Sequence, residues 1–464
     1  MKFLLFIFIT ISAVFAEGMD ELRLFNKCYS QLINKRAPTS HRLVIEIKAG
    51  KIDGKEACFS LIDSVSINNE GQFQPKSKEA LTLVRTMQRL HDSWFPRFNF
   101  NISTQDYPNT DIYDANEMGY HFTWSLFKDE PIRNVITKKR SFRGQRQASK
   151  EHRYFIDRNI KGFRHLRVND SHNRWKVGGA YEEDDDEYQG PVTFWEPELV
   201  QFGNLFGLKK YMNSPNHIKR WLGGDTLKEY DIHEPKGGGV MGTVPYLLLN
   251  AGHSGKKMDG GFLLHRRWST AVLNDLMCRT LPLLTKNDAK KFVKKNSQIS
   301  FRKKAVCMSC HATIDPMAAV LRNMEAFNSG NPGINYTIRN IYLHKTDSFH
   351  KGELPDSDQS FFRTKPRGSF LYKALSGQIS HEKISSLNDL GRLIANTDDF
   401  YICAASRYLD FFTGKKIAIE QIDWSQNTSE VSLLKKLGQK LMKSQSLKVL
   451  IKEIISLPLY GGDK

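Results

Sequence analysis

The chain has 464 residues, 40% of them hydrophobic and 25% charged, with a formal net charge of +18. This composition excludes a disordered, collagenous or low-complexity polypeptide, and the length allows two or three domains. The basic residues are spread along the chain, mostly as single lysines, and no repeat at solenoid spacing is present.

The first residues read MKFLLFIFITISAVFAEG. Lys2 precedes an apolar run, and Val14 and Ala16 are small enough for a signal peptidase site. Residues 1–16 are therefore expected to be a secretory signal peptide cleaved near Ala16. A membrane anchor, the alternative, needs a longer run of roughly 20 apolar residues. No cysteine follows the cleavage site, which argues against a lipoprotein. No later stretch is long and apolar enough to span a bilayer, so the mature chain is expected to carry no transmembrane segment and to sit in the periplasm. Export makes nucleic acid a poor partner. The positive charge reads as a solvated surface, or as an aid to docking on an acidic redox partner or an anionic membrane surface.

Residues 17–140 read as a helical N-terminal domain. Leu81, Val84, Met87 and Leu90 recur at helical spacing within Ala80–Phe95, and Asp114–Phe127 has the same character. Residues 141–235 form an irregular middle segment, expected to hold long loops with short strands or helices. Its acidic run, Glu182 to Glu187, matches no calcium-loop spacing and reads as a solvated loop. Order returns over 236–464. KGGGVMGTVPYLLLNAG is a glycine-marked turn before an apolar stretch. In the next segment Leu264, Trp268, Val272 and Leu276 share a helix face that Pro282 ends. DPMAAVLRNMEAFNSG reads as a complete helix, with Asp315 as cap, Pro316 at the first position and Gly330 as stop. Phe400, Cys403, Ala404, Tyr408 and Phe411 share one face of a helix begun by Thr397 or Asp398 and ended by Gly414. A last, lysine-rich amphipathic helix is expected over about 429–455. The fold class is mainly α.

The string Cys307-Met308-Ser309-Cys310-His311 carries the chemistry. Two thiols three residues apart project to one side of a helical turn and can add to the two vinyl groups of a haem. The adjacent His311 then reaches the iron as an axial ligand. An exported chain suits this, because haem attachment to such motifs takes place outside the bacterial inner membrane. Two rivals use the same residues. A structural zinc site lacks a second cysteine pair at ribbon spacing, and a thioredoxin-like pair lacks the βαβ pattern around it. With two cysteines used for one haem c, Cys28, Cys58, Cys278 and Cys403 remain as disulfide candidates in an oxidising compartment. Pairing 28 with 58 and 278 with 403 is the simplest of three arrangements, and the sequence leaves it open.

The sixth iron ligand is open too. Met317 and Met324 follow closely in sequence but share a face with Val320 and Leu321, as core residues do. His344 and His350 fall in an expected loop, and His91 can come from the N-terminal domain. Arg266 and Arg267 are candidates for the haem propionates, or for solvent. Trp268 is a candidate for packing on the ring, or for the core.

The string CMSCHATIDPMAAVLRNMEAFNSG resembles the haem segment of planctomycete-type cytochromes c, large exported bacterial proteins. GGGVMGTVPYLLLNAG with RRWS, over 238–269, resembles the family's preceding domain. FYICAASRYLDFFTGKK and KVLIKEIISLPLY, over 400–416 and 448–460, resemble the following one. The resemblance covers roughly 236–460 and implies a haem-binding, cytochrome c-like domain there. Ala318 stands in place of the usual glycine, and Met324 and Glu325 in place of Phe and Asp. The family often has a second, N-terminal haem domain, but neither Cys28 nor Cys58 belongs to a CxxCH. The expected function is one-electron transfer through a single covalent haem and its iron. The alternatives are a peroxidase-like periplasmic oxidoreductase with an open iron site and a haem-bearing binding module.

Overall fold

The computed structural model describes residues 21–68, 73–95, 116–142, 166–169, 174–177, 235–251, 263–330, 337–343 and 365–461. The expected signal peptide, the acidic run, His344 and His350 lie outside them. The protein is mainly helical, with short antiparallel strand pairs.

Helix α1 covers residues 21–33. It is followed by α2 (Arg42–Lys48) and α3 (Gly54–Asp63), the latter opened by a reciprocal capping box between Asp53 and Glu56. The small pair β1 (Ser66–Ile67) and β2 (Phe73–Gln74) precedes α4 (Lys78–Asp92), capped by Ser77. Helix α4 buries Leu83, Val84 and Met87, while Leu81 and Leu90 pack at the edge of the core. Helices α5 (Glu117–Lys128) and α6 (Asn134–Thr137) complete this part. The middle segment contributes one described hairpin, β3 (Leu166–Asn169) with β4 (Arg174–Val177).

The chain then enters α7 (Val244–Leu249), which Thr243 caps and Pro245 starts, and α8 (Leu264–Met277). Helix α8 stops at Cys278, whose φ is +50, well before Pro282. The short α9 (Lys286–Ala289) leads through 3-10 turns to α10 (Ala305–Ala318). Two hairpins follow, β5 (Met324–Gly330) with β6 (Thr337–Leu343) and β7 (Gly368–Lys373) with β8 (Ile379–Ile384). The chain ends in α11 (Leu387–Ala395), α12 (Asp398–Thr413), α13 (Ser429–Ser444), α14 (Leu447–Ile455) and α15 (Pro458–Gly461).

One buried core runs from Phe25 to Tyr460, so the first helices and the last pack together. Lys27 Nζ donates to the Tyr460 carbonyl at 2.6 Å, and Gln31 Nε2 to that of Phe412 at 2.9 Å. His91 ties α4 to α5 and α12. Its Nδ1 lies 2.8 Å from Thr123 Oγ1, and its Nε2 2.6 Å from the Tyr408 hydroxyl. Thr123 already donates to the Gly119 carbonyl. His91 therefore donates from Nδ1 and accepts the Tyr408 proton at Nε2.

Two expected helices are corrected. The helix expected to begin at Asp315 begins ten residues earlier, at Ala305, and runs through Asp315 and Pro316. It tightens to a 3-10 turn over Ala319–Leu321, and Met324–Gly330 is a strand rather than helix. The reason is tertiary. The segment Thr337–Leu343 is rich in β-branched residues and supplies a ladder that outweighs the local helix propensity of MEAF. The helix expected over 429–455 is broken at Gln445, which takes φ +57 and returns its N–H to the Leu441 carbonyl. Ser446 then caps α14 through Val449.

Candidate functional site

Helix α10 presents Cys307 and Cys310 one turn apart, with His311 beside them. The other four cysteines form two disulfides, Cys28–Cys58 and Cys278–Cys403. Cys307 and Cys310 are free thiols, half-buried at the surface of the helix. The second disulfide joins the end of α8 to α12, and α8 in turn packs on α10.

The opposite side of α10 is held by a small cluster of its own. Met308 and Ala312 pack with Leu284, Ala289 and Leu371, separately from the main core. Strand β7 lies directly on the helix. A Cβ on Gly368 would sit 1.9 Å from the Pro316 carbonyl oxygen, so only glycine allows this approach. Between α10, the β7–β8 hairpin and the 291–294 segment lies a cavity of about 460 Å³, within the range of cofactor sites. His311, Asp315, Arg302, Arg322 and His381 line it.

His311 is fixed from two sides. Its ring stacks on Phe301 at 4.2 Å, and its Nδ1 lies 3.1 Å from Asp315 Oδ1, one turn along the helix. Arg266, from α8, donates its Nε to the same oxygen at 2.7 Å. Burial pushes the Asp315 carboxyl up, but the His311 hydrogen bond and the Arg266 guanidinium outweigh it and hold the group below the usual carboxylate range. Asp315 is thus an anion that accepts the Nδ1 proton. That leaves Nε2 as the nitrogen with a free lone pair, as a metal-ligating imidazole requires.

The cavity wall is positive. Burial lowers the pKa of Arg322, and the neighbouring Arg367 and Arg302 lower it further. Such crowding of guanidinium groups favours an anion between them, and carboxylates suit their planar donors. His311 with its Nε2 free and the arginines of the wall suit a haem and its propionates, whereas Cys307 and Cys310 lie on the same helical turn but outside the cavity lining. A bare metal ion fits less well. Among the described residues no group of three His, Cys, Asp or Glu side chains is placed to hold one.

The expected site residues are distributed differently. Cys307, Cys310 and His311 stand together. Arg266 reaches the site through Asp315 and does not line the cavity. Arg267 is exposed and donates to the Asn250 carbonyl at 3.3 Å, away from it. Trp268 is fully buried on the core face of α8, with its indole N–H on the Met241 carbonyl at 2.9 Å, so it packs in the core. Met317 and Met324 are buried in the main core, and both nitrogens of His91 are engaged. None of these three lines the cavity.

Sequence reasoning missed Asp315, Phe301, Arg302, Arg322 and His381 as site residues. The first was within reach, since His311 and Asp315 stand at i and i+4 of one helix. The others join the site only through packing. Compared with family models, with curated proteins and with solved structures, the chain shows no match in any of the three.

Proposed function

We propose that the chain is an exported, mono-haem c-type cytochrome that carries single electrons between partners in the periplasm. The observation that carries this reading is the pair of free thiols, Cys307 and Cys310, on the helical turn that places His311 in the wall of the cavity. The resemblance of 236–460 to planctomycete-type cytochromes c and the N-terminal signal pattern support it from the sequence. Bound there, a haem supplies reversible one-electron oxidation and reduction at its iron. Cys307 and Cys310 would hold it by thioether bonds, His311 Nε2 would meet the iron, and Arg302 and Arg322 would face the propionates. Asp315 and Arg266 keep the His311 ring in one orientation and tautomer.

The surface around the motif suits an acidic redox partner. The segment 286–304 packs against α10 and carries seven exposed lysines together with Arg302. Its single acid, Asp288, is already paired with Lys373 at 2.7 Å. Val306, next to Cys307, is 66% exposed and supplies an apolar contact inside this basic rim.

A peroxidase-like oxidoreductase is the second reading. One observation favours it: the carboxylate on His311, since such a partner strengthens an imidazole as a ligand. The test of the first reading is haem staining after denaturing electrophoresis, with a pyridine haemochrome spectrum, in a host that has the c-type maturation machinery. A stained band with one haem per chain, lost in the Cys307→Ala, Cys310→Ala double variant, is expected. An unstained wild-type band removes the reading.

A further inference from the structure

We propose that the cavity between α10 and the β7–β8 hairpin is a binding site in its own right, for a free organic acid that carries a carboxylate on an apolar body. The site does not depend on the haem reading. Met308, Ala312 and Asp315 stand at i, i+4 and i+7 of α10 and form one stripe of the helix. All three line the cavity, and neither Cys307 nor Cys310 does. His311, one turn from both Cys307 and Met308, stands at the border. A haem held by the two thiols belongs to the neighbouring face of the helix, which leaves the cavity to another occupant.

The wall carries an excess of positive charge. Lys291, Lys294, Arg302 and Arg322 line it, with Asp315 as its single acid. That acid is already engaged by His311 at 3.1 Å and by Arg266 at 2.7 Å. Among the described residues no acid forms an ion pair with Lys291, Lys294 or Arg302. The backbone N–H of Lys294 donates to the Arg302 carbonyl at 2.9 Å, which holds these two cations on one stretch of wall. Cations gathered without a facing carboxylate favour an anion between them, and the planar fork of Arg302 suits a carboxylate.

The rest of the lining is apolar. Met308, Ala312 and Leu371 are buried together, and Phe292 and Val293 pack against them. A small inorganic anion would satisfy the cations and leave this apolar floor in contact with water. A carboxylate on an aromatic ring or a short alkyl chain satisfies both, and the volume of about 460 Å³ accommodates one. Two sources offer a carboxylate here, the haem propionates and a free acid. The lining favours the free acid, because it leaves out both thiols and because propionates alone would not cover the floor.

Isothermal titration calorimetry with benzoate and octanoate tests this on the full-length chain, both as haem-loaded wild type and as the Cys307→Ala, Cys310→Ala variant. Benzyl alcohol and octanol are the uncharged counterparts, and inorganic phosphate is the anion without an apolar body. Saturable binding of one acid per chain is expected in both proteins, with the alcohols and phosphate weaker by about tenfold or more. The Lys294→Gln, Arg302→Gln variant is expected to weaken binding by about the same factor. The Lys303→Gln, Lys304→Gln variant removes two exposed charges outside the lining and is expected to leave it unchanged. Circular dichroism checks that each variant is folded, and the comparison of acid with alcohol needs no charge variant. No saturable binding, equal affinity for acids and alcohols, or an equal loss in the two charge variants overturns the proposal. Binding that is present in the thiol-free variant and absent from the haem-loaded protein gives the cavity to the propionates and also overturns it, while upholding the haem reading. A wild type that takes up no haem fails the haem reading alone, since the thiol-free variant tests the cavity without it.

Discussion

His311 and Asp315 face each other across one turn of α10, Nδ1 to Oδ1 at 3.1 Å. The carboxylate, itself held by Arg266, makes the imidazole a stronger electron donor through Nε2. Replacing Asp315 by asparagine keeps the shape and removes the charge. The midpoint potential of the haem-loaded Asp315→Asn protein is expected to rise by about 60 mV or more, one factor of ten for a one-electron couple. Redox titration measures it, and an unchanged potential would reduce Asp315 to a structural role.

Thiol accounting separates the two classes of cysteine. Unreduced, denatured holoprotein should give no reaction with a thiol reagent, whereas protein from a host without maturation machinery should expose two thiols. Removing the Cys278–Cys403 bridge, which spans 125 residues of sequence, is expected to lower stability by about 4–5 kcal/mol on the loop-entropy model. Urea unfolding of the Cys278→Ser, Cys403→Ser protein checks this.

Two buried histidines predict acid sensitivity. Burial lowers the pKa of His265 to about 4 and of His91 to about 3. His265 spends its Nε2 on the carbonyls of Leu321 and Met324, at 2.7 and 3.1 Å. Because the folded pKa lies below the unfolded value of about 6.5, the stability tied to each neutral ring is complete above that pH. It is lost as pH falls from about 6.5 towards the folded pKa. At pH 5 the loss is on the order of 2 kcal/mol for each. Urea midpoints at pH 7 and pH 5 measure it, and His265→Gln should flatten part of the difference.

The basic rim predicts salt dependence. At about 0.15 M ionic strength the field of exposed charges is screened beyond roughly 8 Å. Electron transfer from an acidic carrier protein should therefore slow as salt is raised. The Lys303→Glu, Lys304→Glu protein should be slower at low salt and less sensitive to it. Stopped-flow rates over a salt series check this, and equal salt slopes in the two proteins would count against docking at the rim.

Gly368 predicts how tightly the hairpin must sit. Alanine there would press its Cβ on the Pro316 carbonyl at 1.9 Å and lift β7 from α10. The Gly368→Ala holoprotein is expected to lose about 1–3 kcal/mol of stability, as overpacked sites do. Thermal unfolding measures the loss.

What the sequence alone determined is local chemistry. The spacing of Cys307, Cys310 and His311 places three reactive groups on one helical turn whatever surrounds them. The apolar period of Leu264, Trp268, Val272 and Leu276 makes α8, and Thr397 and Gly414 bound α12, because caps and periodicity act within a few residues. Tertiary structure decided the rest. Asp315 has the residue type of a helix cap, yet α10 begins ten residues before it, so it stands one turn from His311 and is also held by Arg266, 49 residues away. Met324 sits in a run with helical propensity, yet pairing with Leu343 draws it into a strand. Trp268 can pack on a ring or in the core by its sequence position, and in the folded chain it is fully buried with its indole N–H on the Met241 carbonyl. His381 has no local signature at all. Its place beside the motif comes from the β7–β8 register and from Gly368 letting that hairpin close on α10, contacts between segments far apart in sequence that no short-range pattern encodes.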